Sequence, residues 1–178
     1  MFQKVFYRKY RVDIEITRGC KWNCKFCQVC RFYKYKEAPY DSVLRLISEI
    51  KPIDWKKYKL GFVSADLMSY SHIEDLFEHL SGIEHVKQIG SFSVSPHAPS
   101  LKKLRRILDI DFSFSLRNIS VGIEGVSERL RSLVGKPLSN RFFSDLLNVV
   151  AEDQRCKSLR LHFIKGLPTE KESDYIEF

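Results

Sequence analysis

Hydrophobic and polar residues alternate through "VDIEIT" (12–17), the period of a strand with one buried face. In "YDSVLRLISEI" (40–50) the period changes. Val43, Leu44, Ile47 and Ile50 fall on one helical stripe, with Asp41 near its start. The two periods then take turns along the chain. "YKLGFVS" (58–64) predicts a second strand, and "SHIEDLFEHL" (71–80) a helix capped by Ser71. "IGSFSVS" (89–95) predicts a third strand, followed by a basic helix over roughly 100–108. "NISVGIE" (118–124) is the fourth. A helical pattern starts at Ser127, breaks near Gly135-Lys136-Pro137 and resumes over 139–153. "SLRLHFI" (158–164) is the fifth strand, and a last helix begins near Thr169.

Strands alternating with helices predict parallel βα units with right-handed crossovers, in a doubly wound sheet or a barrel. The unusual residues favour a barrel. A cysteine-rich stretch follows the first strand, Ser64-Ala65-Asp66 ends the second, and Ser95-Pro96-His97 ends the third. "GIEG" (122–125) closes the fourth, and "KGLP" (165–168) follows the fifth. All sit at the carboxyl ends of strands, where α/β barrels carry their sites. His97 reaches the same face, but a lone histidine beside a proline reads as structural. The chain shows no repeat, low-complexity stretch or internal linker, so one domain is expected.

The 178 residues, 44% hydrophobic and 29% charged, suit a packed domain rather than a disordered one. No apolar run reaches the ~18 residues of a membrane span. The basic, interrupted N-terminus does not resemble a signal peptide, so a cytoplasmic location is expected, where clustered cysteines favour metal over disulfides. The net charge of +8 is concentrated. Residues 1–36 hold ten Lys or Arg, Lys4, Lys9, Lys25, Lys34 and Lys36 among them, against Asp13 and Glu15 alone. Nine aromatics, including Tyr7, Tyr10, Trp22, Phe32, Tyr33 and Tyr35, are interleaved with them. Cations beside stacking rings make RNA a candidate partner of segment 1–36. The plainer reading is a solvated face that offsets an anionic metal cluster.

"RGCKWNCKFCQVC" (18–30) places Cys20, Cys24, Cys27 and Cys30 within eleven positions. A structural zinc site uses two separated Cys-x-x-Cys knuckles, and no second pair exists here. Cys156 is distant and reads as a small buried hydrophobe. Iron–sulfur clusters do take ligands from one loop, but a ferredoxin run is C-x₂-C-x₂-C-x₃-C-P. This run is C-x₃-C-x₂-C-x₂-C without the proline.

The C-x₃-C-x₂-C of Cys20, Cys24 and Cys27 resembles the cluster motif of the radical S-adenosylmethionine enzymes. "IEITRGCKWNCKFC" is similar to the cluster loop of the branch containing methylthiotransferases and cobalamin-dependent radical enzymes. "ISVGIEGVSERLRSLVGKP" resembles that branch's fourth-strand motif, and "LRLHFIKGLPTEKESD" its fifth. The resemblance runs in register over roughly residues 12–178.

It implies a partial (β/α) barrel of about five βα units with parallel strands. It also implies a 4Fe–4S cluster on Cys20, Cys24 and Cys27 whose fourth iron takes S-adenosyl-L-methionine. Reductive cleavage to a 5′-deoxyadenosyl radical would then modify an unknown substrate by methylthiolation, methylation or a related reaction. Cofactor contacts implied are Phe26, Ser64, Asp66, Glu124, Ser127, Arg129 (or Arg131), Gly166 and Leu167; the resemblance assigns no catalytic side chain. The usual glycine-glycine-glutamate is missing around Ser64-Ala65-Asp66. Arg18 and Lys21 are expected to favour the reduced cluster. The family's core has six βα units, so residues 1–178 would be a core domain lacking the C-terminal part of the barrel. Expected partners are a reductant such as ferredoxin or flavodoxin and a second chain completing the barrel, with no membrane. The alternative is a small electron-transfer or cluster-carrier protein in which Cys30 supplies a fourth ligand.

Overall fold

A computed structural model describes residues 5–8, 11–50 and 59–176. Lys4, Lys9, Tyr10 and Tyr58 lie outside the described residues.

The chain opens with β1 (Val5–Arg8), antiparallel to β2 (Arg11–Glu15), an edge that periodicity did not predict. The short β3 (Thr17–Arg18) pairs with β4 (Lys36–Glu37), and one helical turn, α1 (Val29–Phe32), lies between them. Then follow α2 (Tyr40–Glu49), β5 (Lys59–Val63), a 3₁₀ turn (Leu67–Ser69) and α3 (Ile73–Ser81). The third strand is split into β6 (Gln88–Ile89) and β7 (Phe92–Val94), with α4 (Ala98–Asp109) after it. The fourth is split into β8 (Ser115–Leu116) and β9 (Ile119–Glu124). The last elements are α5 (Glu128–Leu133), α6 (Asn140–Glu152), β10 (Leu159–Phe163) and α7 (Glu172–Ile176).

The splits have a geometric meaning. One sheet runs β1-β2-β5-β6-β8, and the other β10-β9-β7. Since β6 leads into β7 and β8 into β9, two strands pass from the first sheet to the second. In these two sheets every ladder from β2 to β10 is parallel, whereas the separate β3–β4 pair is antiparallel. The result is one curved wall of five parallel strands, the partial (β/α) barrel, with β1 added antiparallel at its start.

Hydrophobic periodicity sets the outer face of this wall. Val12, Ile14 and Ile16 share a buried cluster with Val43 and Ile47 of α2. On α3, Ile73, Leu76, Phe77 and Leu80 recur at helical spacing and are fully buried. Each such side chain stabilises the fold by roughly 1.5–3 kcal/mol. The inner face is polar or small: Ser120, Gly122 and Glu124 of β9 alternate with buried Ile119, Val121 and Ile123.

One local expectation is corrected. Ser71 does not cap α3, which has His72 at its N-cap and no side-chain cap. Its backbone N–H (3.0 Å) and hydroxyl both donate to Oε2 of Glu37, which competes for the group a cap would use. Ser127 does cap α5, accepting from the Leu130 N–H at 3.2 Å. Cys156 is half-buried against the core, and burial pushes its thiol up to about 11, the behaviour of a small hydrophobe. No helix is long and apolar enough to cross a membrane among the described residues.

Candidate functional site

The cysteine loop is a hairpin closed at its base, where Thr17 faces Glu37 and Arg18 faces Lys36. Gly19 makes the closure possible. Its φ is +77°, and a Cβ there would lie 2.6 Å from the Tyr33 carbonyl oxygen. Only glycine meets both conditions.

Four hydrogen bonds and one ring stack seat the loop over the open end of the barrel. The Lys25 N–H donates to the Val134 carbonyl at 3.0 Å. Lys21 Nζ donates to the Ser69 carbonyl (2.8 Å) and to Glu37 Oε1 (3.1 Å). The Trp22 indole N–H donates to Asp66 Oδ2 at 2.6 Å, and its ring stacks on His97 with centroids 3.8 Å apart. Burial opposes ionisation of Glu37, yet hydrogen bonds from Ser71, Tyr35 and Lys21 outweigh it and hold the carboxyl down at about 2.

Beneath the loop lies a cavity of about 240 Å³. Cys20, Cys24 and Cys27 line it, with Phe26 and Glu124. Ser93, Ser120 and Gly122 form its floor on the inner face of the strands, and Lys136 closes one side. Cys30 is not among the lining residues. Its thiol is directed to the Cys27 carbonyl (3.4 Å) and to Asn23 Oδ1 (3.7 Å). Burial raises the Cys20 thiol, with Asp66, Cys24 and Cys27 adding to the effect. Burial also raises Cys24, but there the Lys136 ammonium opposes it. The desolvated Cys20 and Cys24 thiols, facing one space, are costly to ionise without a cation between them. Among the described residues, no three Cys, His, Asp or Glu side chains converge as ligands of a single ion. A multi-iron cluster takes one thiolate per iron, and such a spread donor set suits it.

The other residues singled out by sequence fall into separate places. Ser64 shares a hydrogen bond with Thr17 at 2.6 Å, under the loop base. Asp66 is 1% exposed and accepts from Trp22, from the Ser95 N–H (2.9 Å) and from Ser100 Oγ (3.1 Å). Ser127 donates to Asp174 at 2.6 Å, and Arg129 bonds Asp174 and Thr169. Arg131 is 1% exposed and bonds the carbonyls of Gly125, Val126 and Leu138. The Gly166 and Leu167 N–H groups donate to Glu170. None of these lines the cavity; Ser127, Arg129, Gly166 and Leu167 instead gather around α5, tying the segment after β10 to it. Arg18 pairs with Glu15, and Lys21 with Glu37, so both charges are neutralised outside the cavity.

Sequence reading missed Lys136, which is 6% exposed. Its Nζ donates to the Gly122 carbonyl (2.7 Å) and Glu124 Oε1 (2.8 Å) and stands 5.6 Å from the Phe26 ring centre. A lysine between Gly135 and Pro137 looks like an exposed turn residue; only the "GKP" ending the fourth-strand motif hinted otherwise. Glu124, its partner, has φ +66°, which aims the carboxylate back over Gly122.

The curved parallel wall and the loop at its carboxyl end can be compared with known proteins. The chain is 24% identical over 165 residues to an uncharacterized protein of Methanocaldococcus jannaschii, covering 92% of this chain and 35% of that one. It is 21% identical over 179 residues to the threonylcarbamoyladenosine tRNA methylthiotransferase MtaB of Aquifex aeolicus, covering 97% of this chain and 43% of that one. The chain thus spans less than half the length of these curated relatives. Among solved structures, the methyltransferase TsrM of Kitasatospora setae, with a SAM analog bound, superposes with a TM-score of 0.68 at 14% identity. That match covers 92% of this chain and 32% of TsrM. The cobalamin-dependent enzyme OxsB, with S-adenosylmethionine bound, gives 0.69 at 15% identity over 93% of this chain and 25% of OxsB. These likenesses establish the fold. The family model of the radical SAM superfamily matches residues 14–178, from β2 through the cysteine loop to α7, and the chain belongs to that superfamily.

Proposed function

We propose that Cys20, Cys24 and Cys27 hold a 4Fe–4S cluster and that the cavity below them receives S-adenosyl-L-methionine. One observation carries this reading: these three cysteines line one cavity, while Cys30 is turned to Asn23 and the Cys27 carbonyl. Three thiolates leave one iron without a protein ligand. When bound, the cluster would pass on one electron from the external reductant and split the cofactor's sulfonium into methionine and a 5′-deoxyadenosyl radical. The chain's own residues position and enclose. Ser93, Ser120 and Gly122 leave room along the strands, Glu124 offers an acceptor to an ammonium group, and Phe26 covers the rim. Trp22, at the cavity wall, and Lys21, outside it, fix the loop.

Methylation or methylthiolation of a separate molecule is the reading we adopt, by analogy with the named activities of MtaB and TsrM. An acidic low-potential carrier such as ferredoxin or flavodoxin is the proposed reductant, with the cytoplasm as the proposed location. RNA is the proposed partner of the basic face. A further segment, from a second chain or a longer polypeptide, is proposed to pair with β10, which among the described residues has one ladder, with β9.

The test is iron stoichiometry and EPR. Anaerobically reconstituted protein should bind about four irons. Ala at Cys20, Cys24 or Cys27 should abolish retention. Cys30→Ala should keep the cluster, and S-adenosylmethionine should change its spectrum. If Cys30→Ala loses iron as the others do, the four-ligand electron-transfer protein is the better description; tightly bound zinc would end both.

A further inference from the structure

Lys136 is buried among groups that give it a particular orientation. The turn that carries it is docked on the cysteine loop by the Lys25 N–H to Val134 carbonyl bond of 3.0 Å. A Cβ on the intervening Gly135 would lie 3.4–3.6 Å from atoms of Asn23, Cys24 and Lys25, so this turn and the loop are in van der Waals contact. From there the side chain reaches into the cavity, where Nζ meets Gly122 O and Glu124 Oε1 at 2.7 and 2.8 Å. The pair's side chains are 7% and 13% exposed.

Burying such a pair costs several kcal/mol per ion, and an apolar pair would fill the space more cheaply. An oriented charge is what an apolar pair could not supply. Nζ stands 5.6 Å from the ring centre of Phe26, between Cys24 and Cys27, while Glu124 meets it from the end of β9, so the pair turns its positive end to the loop. Arg18 and Lys21 cannot do this, being neutralised by Glu15 and Glu37.

We propose that Lys136 sets the reduction potential of the iron–sulfur centre held by the cysteine loop, with Glu124 behind it tempering the charge. The inference rests on the functional reading above. Taking up one electron adds one negative charge close to Cys24. A fixed, nearly buried ammonium lowers the cost of that charge, and a fixed carboxylate raises it. Lys136 acts on the centre through space; it moves no proton and forms no bond in the step.

Wild type, E124Q, K136M and the K136M/E124Q double variant, all as the full chain, test this. Each is reconstituted anaerobically, assayed for iron, and titrated with dithionite in the presence of mediator dyes while the EPR signal of the reduced centre is followed. E124Q should be the easiest to reduce, wild type next, the double variant third and K136M the hardest. Between the extremes the one-electron equilibrium should shift by about tenfold, which is about 59 mV. K136R should stay close to wild type. Equal potentials in iron-loaded variants, or shifts of E124Q and K136M in the same direction, would overturn the proposal. If K136M does not fold, the upward shift of E124Q and the position of the double variant still decide. Failure of wild type to hold iron is a different result, and refutes the functional reading itself.

Discussion

Trp22 and Asp66 are joined by a 2.6 Å hydrogen bond between the middle of the cysteine loop and the segment after β5. The same carboxylate accepts from Ser95 and Ser100, so one buried acid ties three loops at the carboxyl ends of neighbouring strands. Burial raises its pKa in spite of these bonds. Asp66→Ala leaves the buried Ser100 hydroxyl and the half-buried Trp22 and Ser95 N–H donors unpaired and should cost about 2–4 kcal/mol in urea unfolding. Trp22→Phe loses one bond, keeps the ring over His97 and should cost about 1 kcal/mol. Both should weaken iron retention in that order; equal stabilities would show that the loop is seated by other contacts.

Glu37 should give the fold an acid-sensitive limb. Its carboxyl is held at about 2, below the ordinary value of 4.5. A depressed carboxyl stabilises the native state above the unfolded pKa and loses that contribution as pH falls toward the folded one. The window is therefore pH 4.5 to 2. With allowance for solvent around this partly exposed group, Glu37→Gln should cost on the order of 1 kcal/mol at pH 7 and nothing near pH 2. Denaturant midpoints of the metal-free protein across that range would check it; a constant difference would count against the argument.

Gly122 is where the Glu124–Lys136 pair needs the absence of a side chain. A Cβ there would lie 2.2 Å from Glu124 Oε1 and 3.0 Å from Lys136 Nζ. Gly122→Ala should push the pair apart and destabilise the protein by about 3 kcal/mol. Ser120→Ala, on the same face of β9, should change stability by less than about 1 kcal/mol. Similar values for the two would mean that the pair simply moves aside.

The basic face is open to test without the residues outside the described range. Phe32 is 72% and Tyr33 57% exposed, and Arg31, Lys34 and Lys36 are exposed beside them. Arg11 does not belong to this face, since it is bonded to Asp13 and to the Ser91 carbonyl. Single-stranded RNA binding measured by anisotropy should weaken with salt, with a slope of about −0.7 per phosphate contacted. Neutralising Lys34 and Lys36 should flatten that slope, and Phe32→Ala should cost about 1–3 kcal/mol from lost stacking. Salt-independent binding, or none, would return these residues to the role of a solvated surface.

The strands and helices were legible because their apolar faces repeat at periods of two or nearly four residues. Val12, Ile14 and Ile16, and Ile73 to Leu80, pack as that pattern requires. The cysteine triplet was legible because its ligands are local. Lys136, Trp22 with Asp66, and Glu37 with Lys21 were not, since each joins parts of the chain that only the closed sheet brings together. The antiparallel β1 escaped for another reason: its partner β2 was already explained by its parallel neighbour β5.

The β3–β4 pairing has a consequence for assembly. Closing a flexible loop of this length costs on the order of 2–3 kcal/mol of chain entropy. Here two short strands and the left-handed Gly19 have met that cost before any metal arrives. The three thiols are thereby tethered to one another, at effective concentrations far above those of free cysteine. Loop closure of this kind is faster than pairing of strands distant in sequence. An iron donor would therefore meet three thiols already gathered on one closed loop while the remote strands of the barrel are still finding their register.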